Sequence, residues 1–144
     1  MTFTRTGDSL PFFKAFEEAL ESKDLARLAE IYHTSFLFGG PSGAQTVKLE
    51  DFLNVVPKRT TFAKSLGLST TRLASVEQTA LDETYTLAKV VWKMTVEKKE
   101  TTHEVETEAS YLLLRQGGGY RIVAQIDHQD LMTRIQEFSA PSPS

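Results

Sequence analysis

The chain has no cysteine among its 144 residues, so a disulfide framework, a thiolate metal site and a thiol nucleophile are all excluded. It also lacks any apolar run near the roughly twenty residues of a membrane-spanning helix, and the opening MTFTRTGDSL lacks the apolar core of a secretory leader. The expectation is a soluble cytoplasmic protein with no membrane partner. An excess of positive charge is missing too: 16 Lys and Arg stand against 19 Asp and Glu, with the signs interspersed and a net charge of −3. Such a surface offers a polyanion no footprint, and nucleic acid is not an expected partner. Histidine is scarce, at 33, 103 and 128, with no HxH or HExxH spacing, so neither a metal site nor a cofactor is expected. No GxSxG, P-loop or dinucleotide fingerprint occurs. The glycines at 117, 118 and 119 separate two alternating apolar runs and open no helix, which makes them a turn and not a phosphate cradle.

What is present begins with helical spacing. The length fits one domain able to remove roughly two thirds of its unfolded surface from water. Asp8 and Ser9 are capping residues, Pro11 suits a first helical turn, and Phe12, Phe13, Phe16, Ala19 and Leu20 recur at three- and four-residue spacing. An amphipathic helix over 10–22 follows, with Lys14, Glu17, Glu18 and Glu21 toward water. Asp24 caps a shorter second helix striped by Leu25, Leu28, Ala29 and Tyr32, so the two form a helical hairpin. SFLFGGPSG reads as a short strand and tight turn. Thr46 opens a third helix through Leu49, Phe52, Leu53 and Val56, which Pro57 breaks before a helical restart to Leu66.

From Leu68 the period changes from helical to alternating, and threonine, valine and aromatics replace alanine and glutamate. Strands are expected over 69–80, 84–97, 102–115 and 119–128, joined by short turns into an antiparallel meander. Leu131, Ile135 and Phe138 suggest a terminal helix that ends a single domain over 1–138, and SAPSPS at 139–144 is expected to be a disordered tail. Helices first and strands afterward make an α+β domain, with helices on one face of a curved antiparallel sheet. In the second long strand Ala88, Val90, Trp92, Met94 and Val96 share one face, while Tyr85, Leu87, Lys89, Val91 and Lys93 share the other. Neither face is purely polar. A homodimer through the outer sheet face is therefore expected, with Tyr111, Leu113 and Val123 in the same outer surface.

The order and pattern of FFKAFEEALESKDLARLAEIY, the glycine-bearing turn after it, LAKVVWKMTV and the closing GYRIVAQIDHQDL resemble the NTF2-like superfamily, over about residues 8–138. That superfamily includes the SnoaL-like polyketide cyclases and the ketosteroid isomerases. The resemblance implies a cone in which a bent sheet wraps the N-terminal helices around a pocket for a small hydrophobic molecule, with dimerisation through the outer sheet face. It also weakens isomerase chemistry of the best-known kind. A ketosteroid isomerase-like site would want a tyrosine on the first helix and an acid just after the second, but this chain offers Phe12, Phe13 and Phe16, and 35–43 holds no carboxylate.

His128 closes the last strand and alternates with Tyr120, Ile122, Ala124 and Ile126, a face that would point into the cone. Its near-neutral pKa suits a general acid or base. The plainer reading is a histidine bonded to structure or capping the next helix. Its cross-strand partner depends on the glycine turn: Thr107 for a two-residue turn, Glu108 for a three-residue one, and only the second gives a His128–Glu108 pair on one surface. Asp127 should point the opposite way, to solvent or the dimer face, and Asp130 is a natural N-cap. Phe16, Tyr32, Trp92, Met94, Tyr120, Ile122 and Ile126 are the expected pocket lining, though an apolar stripe on a strand equally serves as plain core. His33 is expected to be exposed. The function implied is a small-molecule-binding NTF2-like domain with a proton-transfer step such as isomerisation, cyclisation or dehydration on a hydrophobic ligand. The alternative is a non-catalytic dimeric interaction or accessory domain.

Overall fold

Helix formation at the N-terminal side follows the spacing to the residue. In a computed structural model that describes residues 4–5 and 9–130, α1 spans Leu10–Ser22 with Pro11 in its first turn and buries Phe13, Phe16 and Ala19. Ser9 stands at the N-cap position but does not cap. Its backbone N–H and hydroxyl both donate to the Gln78 side-chain oxygen, the N–H at 2.7 Å, which ties the start of α1 to the sheet. Asp24 does cap α2 (Leu25–Ile31), accepting from the Arg27 N–H at 3.2 Å. The Arg121 guanidinium donates to the carbonyls of Ala29 and Tyr32 at 3.1 and 3.2 Å, where a cation satisfies the open carbonyls of a helix end.

The chain then forms β2 (Tyr32–Gly40) and β3 (Gly43–Lys48), and α3 spans Leu49–Ser65. Two expectations are corrected here. Thr46 is a β3 residue opposite Leu37, so α3 starts three residues later, and the helix runs through Pro57 without a break. Pro57 is exposed, so its ring lies on the solvent side of the helix.

The remaining strands are β4 (Leu68–Ala80), β5 (Tyr85–Lys98), β6 (Thr101–Gln116) and β7 (Gly119–Asp127), close to the expected bounds, with β1 (Thr4–Arg5) paired to the end of β4. Among the described residues the sheet has the order β1-β4-β5-β6-β7-β2-β3, and every pairing is antiparallel except β2 with β7. The terminal helix and tail expected beyond residue 130 lie outside the described residues.

Three single-residue bulges in the antiparallel pairings bend this sheet. Ser69 and Ala74 are the extra residues of β4 against β5, and Val123 is the extra residue of β7 against β6. Each adds local twist and turns the strand inward, which is how a meander becomes a wall around the helices. Along 71–73, β4 has no strand on its far side among the described residues, and α1 covers this edge: Glu21 accepts from the Thr71 N–H at 3.0 Å and Glu17 from the Leu73 N–H at 2.6 Å. These two glutamates therefore serve the sheet, whereas the helical pattern alone assigns them to water.

The concave face carries Ala88, Val90, Trp92, Met94 and Val96 of β5, all buried, as their spacing predicts. Tyr111 and Leu113, expected on the outer surface, are buried on the concave side instead, because β6 pairs them opposite Ala88 and Thr86. Val123 is half-buried. An aromatic cluster fills the cone, with Phe16 edge-on to Trp92, Tyr32 and Tyr111 at centroid distances of 5.5, 5.8 and 6.0 Å. No helix among the described residues is long and apolar enough to cross a membrane.

Candidate ligand cavity

The cone is not filled to the mouth. Between α1, α3 and the concave face lies a cavity of about 470 Å³. Its apolar wall comes from Phe16 and Leu20 on α1, from Phe52, Val56 and Ala63 at helical spacing on α3, and from Trp92 and Met94 on β5. Tyr32 closes it from the start of β2. Of the seven expected lining residues, Phe16, Tyr32, Trp92 and Met94 line this cavity and three do not. Ile122 is fully buried in the core behind it. Tyr120 lies at the far end of β7, edge-on to Phe12 at 6.0 Å and under the Arg115 guanidinium at 5.0 Å. Ile126 projects outward against Gly39, where an added Cβ would meet its Cδ1 at 2.8 Å.

One bulge decides which ionisable group enters the cavity. The glycine turn is two-residue: Gln116 pairs with Gly119, and Gly117 and Gly118 have φ of 59° and 81°, as a type I′ turn needs. By the turn alone, Thr107 would face His128. Past the extra residue Val123 the register slips by one, so Ala109 pairs with Asp127, and the His128 N–H donates to the Glu108 carbonyl at 2.9 Å. The slip also exchanges the faces. Gln125 and Asp127 turn into the cavity, and Ala124, Ile126 and His128 turn out.

His128 is thus exposed on the convex side, with its Nε2 2.8 Å from Ser110 Oγ. Glu108 lies opposite it and borders the cavity, yet its carboxylate pairs with Lys89 at 3.3 Å on the outer side. The two share a surface without forming a cavity pair, and His128 is corrected from inward acid–base candidate to outer-face residue. His33 is half-buried, its Nδ1 3.1 Å from the Ser35 carbonyl oxygen.

The polar groups that do converge are ones the sequence pattern passes over. Tyr32 O–H donates to Gln125 Oε1 at 2.6 Å, and Gln125 Nε2 donates to Asp127 Oδ1 at 2.9 Å. Trp92 Nε1–H donates to the Tyr111 hydroxyl at 3.0 Å, and that phenol, 2 % exposed, has no acceptor for its own proton among the described residues. Burial pushes both phenols well above the ordinary tyrosine range, so both stay protonated. Burial also raises the Asp127 carboxyl, against the opposing effects of the Gln125 hydrogen bond and the charges of Arg59 and His128. The site therefore combines a desolvated carboxyl, fixed through Gln125 and Tyr32, with a buried phenol whose proton has no acceptor among the described residues.

Comparison with known proteins places the fold. Residues 11–130 match the family described as NTF2-like protein (DUF6841). No functionally curated protein matches the sequence significantly. Among solved structures, Aln2 from a Streptomyces species is similar with a TM-score of 0.69 at 12% identity, covering 86% of this chain and 89% of that one. An NTF-2 like protein of unknown function from Shewanella oneidensis gives a TM-score of 0.65 at 15% identity, covering 83% of this chain and 95% of that one. An NTF2-like protein with a cystatin-like fold from Novosphingobium aromaticivorans gives 0.62 at 12%, covering 81% and 76%. At such identities the likeness speaks for the fold alone.

Proposed function

The chain belongs to the NTF2-like protein family, and from that premise we propose that it binds a small, largely apolar molecule in its cavity and moves a proton on it, with Asp127 as the acid–base group. The observation that carries this reading is the pairing of the raised Asp127 carboxyl with the open Tyr111 phenol in one apolar cavity. A carboxylate made more basic by burial abstracts a proton from carbon more readily than a solvated one, and a phenol that stays protonated stabilises the oxyanion that develops. Isomerisation, cyclisation and dehydration share that step. Gln125 and Tyr32 act as positioning residues, since the hydrogen bonds they form fix the orientation of the carboxyl.

Exchange of the α-protons of β-tetralone into D2O, followed by NMR, tests this. The protein is expected to speed exchange above the buffer rate, Asp127→Asn to lose about 100-fold or more, and Tyr111→Phe to lose about 100-fold as an oxyanion donor is removed. His128→Ala, on the convex side, is expected to cost far less than either. No acceleration, or acceleration that survives Asp127→Asn, overturns the proton-transfer reading.

A second reading, a dimeric accessory domain without chemistry, is favoured by the convex face. Leu87, Leu112, Ala124 and Leu37 lie opposite one another across β5, β6, β7 and β2, and Leu87 and Leu37 are 42% and 39% exposed. An apolar row four strands wide is what a second copy of this chain would cover. A homodimer is compatible with both readings; absence of exchange activity from the unaltered protein would favour the second.

A further inference from the structure

Different charged groups line the two ends of the cavity. Asp127 stands at the β7 end with the Arg59 guanidinium acting on it. At the β4 end, where α1 and α3 both stop, the rim carries Lys23 and Lys64. Lys23 occupies the C-cap of α1 with φ 56°, and its N–H bond to the Ala19 carbonyl fixes its backbone there. Lys64 lies in the last turn of α3. Both side chains belong to this rim, and the proximity and charge of Lys64 hold Lys23 below the ordinary lysine range.

Neither lysine forms an ion pair with a carboxylate among the described residues. Glu21, the acid on the same rim, is committed to the Thr71 N–H and lies 4.0 Å from Arg72 Nε. Two ammonium groups that share the edge of an apolar cavity repel one another, and an anion placed between them turns repulsion into two charge-assisted hydrogen bonds.

We infer that the cavity takes an amphipathic organic anion, with its apolar body against Phe16, Trp92 and Met94 and its carboxylate between Lys23 and Lys64. The inference rests on the ligand-binding role proposed above and names the class of ligand. Three strand spacings separate β4 from β7, about 14 Å, so a molecule of about that length reaches from the lysines to Tyr111 and Asp127.

Trp92 is the single tryptophan of the chain and lines the cavity, so its fluorescence reports occupancy directly. Titration with dodecanoate and with dodecanol, both below their aggregation limits, separates the anionic group from the apolar body. Dodecanoate is expected to bind about tenfold more tightly. The double variant Lys23→Gly, Lys64→Gln should lower dodecanoate affinity to that of dodecanol and leave dodecanol binding unchanged, which also shows that the variant is folded. Glycine is chosen at 23 because it accepts the left-handed backbone. Equal binding of the two ligands to the unaltered protein, or a preference for dodecanoate that survives the double variant, overturns the inference and leaves the cavity reading standing. Binding of neither ligand overturns both.

Discussion

At the scale of the residue, Asp127 is held in an environment that disfavours its charge, and this has a consequence for stability. Burial raises its carboxyl above the ordinary value of 3.8 in the folded chain. A group whose folded pKa is raised contributes stability that is present in full below the unfolded pKa and is lost as pH rises through the folded one. Asp127→Asn, which keeps an oxygen to accept from Gln125, is therefore expected to melt at a higher temperature than the unaltered protein at pH 8. The difference should shrink on acidification and vanish below about pH 3.8, the ordinary carboxyl value. Thermal unfolding followed by circular dichroism at stepped pH checks this, and a variant less stable at every pH would contradict it. That the carboxyl entering the cavity is Asp127 could not be read from the sequence. Strict alternation from Ile122 places His128 on the inner face, and the residue that upsets the count, Val123, is an ordinary strand former with no glycine or polar neighbour to mark a bulge.

At the scale of the element, legibility followed how local the cause was. The bounds of α1 and the cap of α2 depend on side chains within four residues, and both were readable from spacing and capping chemistry. Pro57 signals a break by its own chemistry, yet α3 accommodates it on its solvent side, where tertiary packing of Phe52, Val56 and Ala63 outweighs one missing hydrogen bond. Tyr111, Leu112, Leu113 and Leu114 are all apolar, so β6 carries no mark of which face is inner. The parallel β2–β7 pairing joins segments more than eighty residues apart and leaves no local trace. The junction of α3 and β4 has a sharper requirement. Gly67 has φ 106°, its carbonyl accepts from the Glu97 N–H at 2.7 Å, and a Cβ there would collide with the Glu97 carbonyl. Gly67→Ala is expected to cost about 3 kcal/mol or more, through strain together with a clash against backbone. Urea unfolding measures it; a loss under about 1 kcal/mol, the ordinary scale of surface changes, would refute the strain argument.

At the scale of the whole molecule, the convex row of Leu87, Leu112, Ala124 and Leu37 predicts self-association. Leu87→Glu, at an exposed site outside the core, is expected to convert a dimer to a monomer with little change in melting temperature. Sedimentation equilibrium at micromolar concentration distinguishes the outcomes, and a monomeric unaltered protein would remove the dimer from both functional readings. The parallel pairing of β2 with β7 also sets an order of assembly. β2 is complete at residue 40, but its neighbour β7 begins at residue 119, so the first half of the chain leaves synthesis with its sheet partner still unmade. Long-range pairing of this kind is slow to form, and β2, β3 and the helices must wait for it with apolar faces uncovered. The strand that completes the sheet is the one that carries Gln125 and Asp127. The carboxyl therefore loses its water only once this strand has docked, and a chain whose growth stops at Gln116 lacks both Gln125 and Asp127.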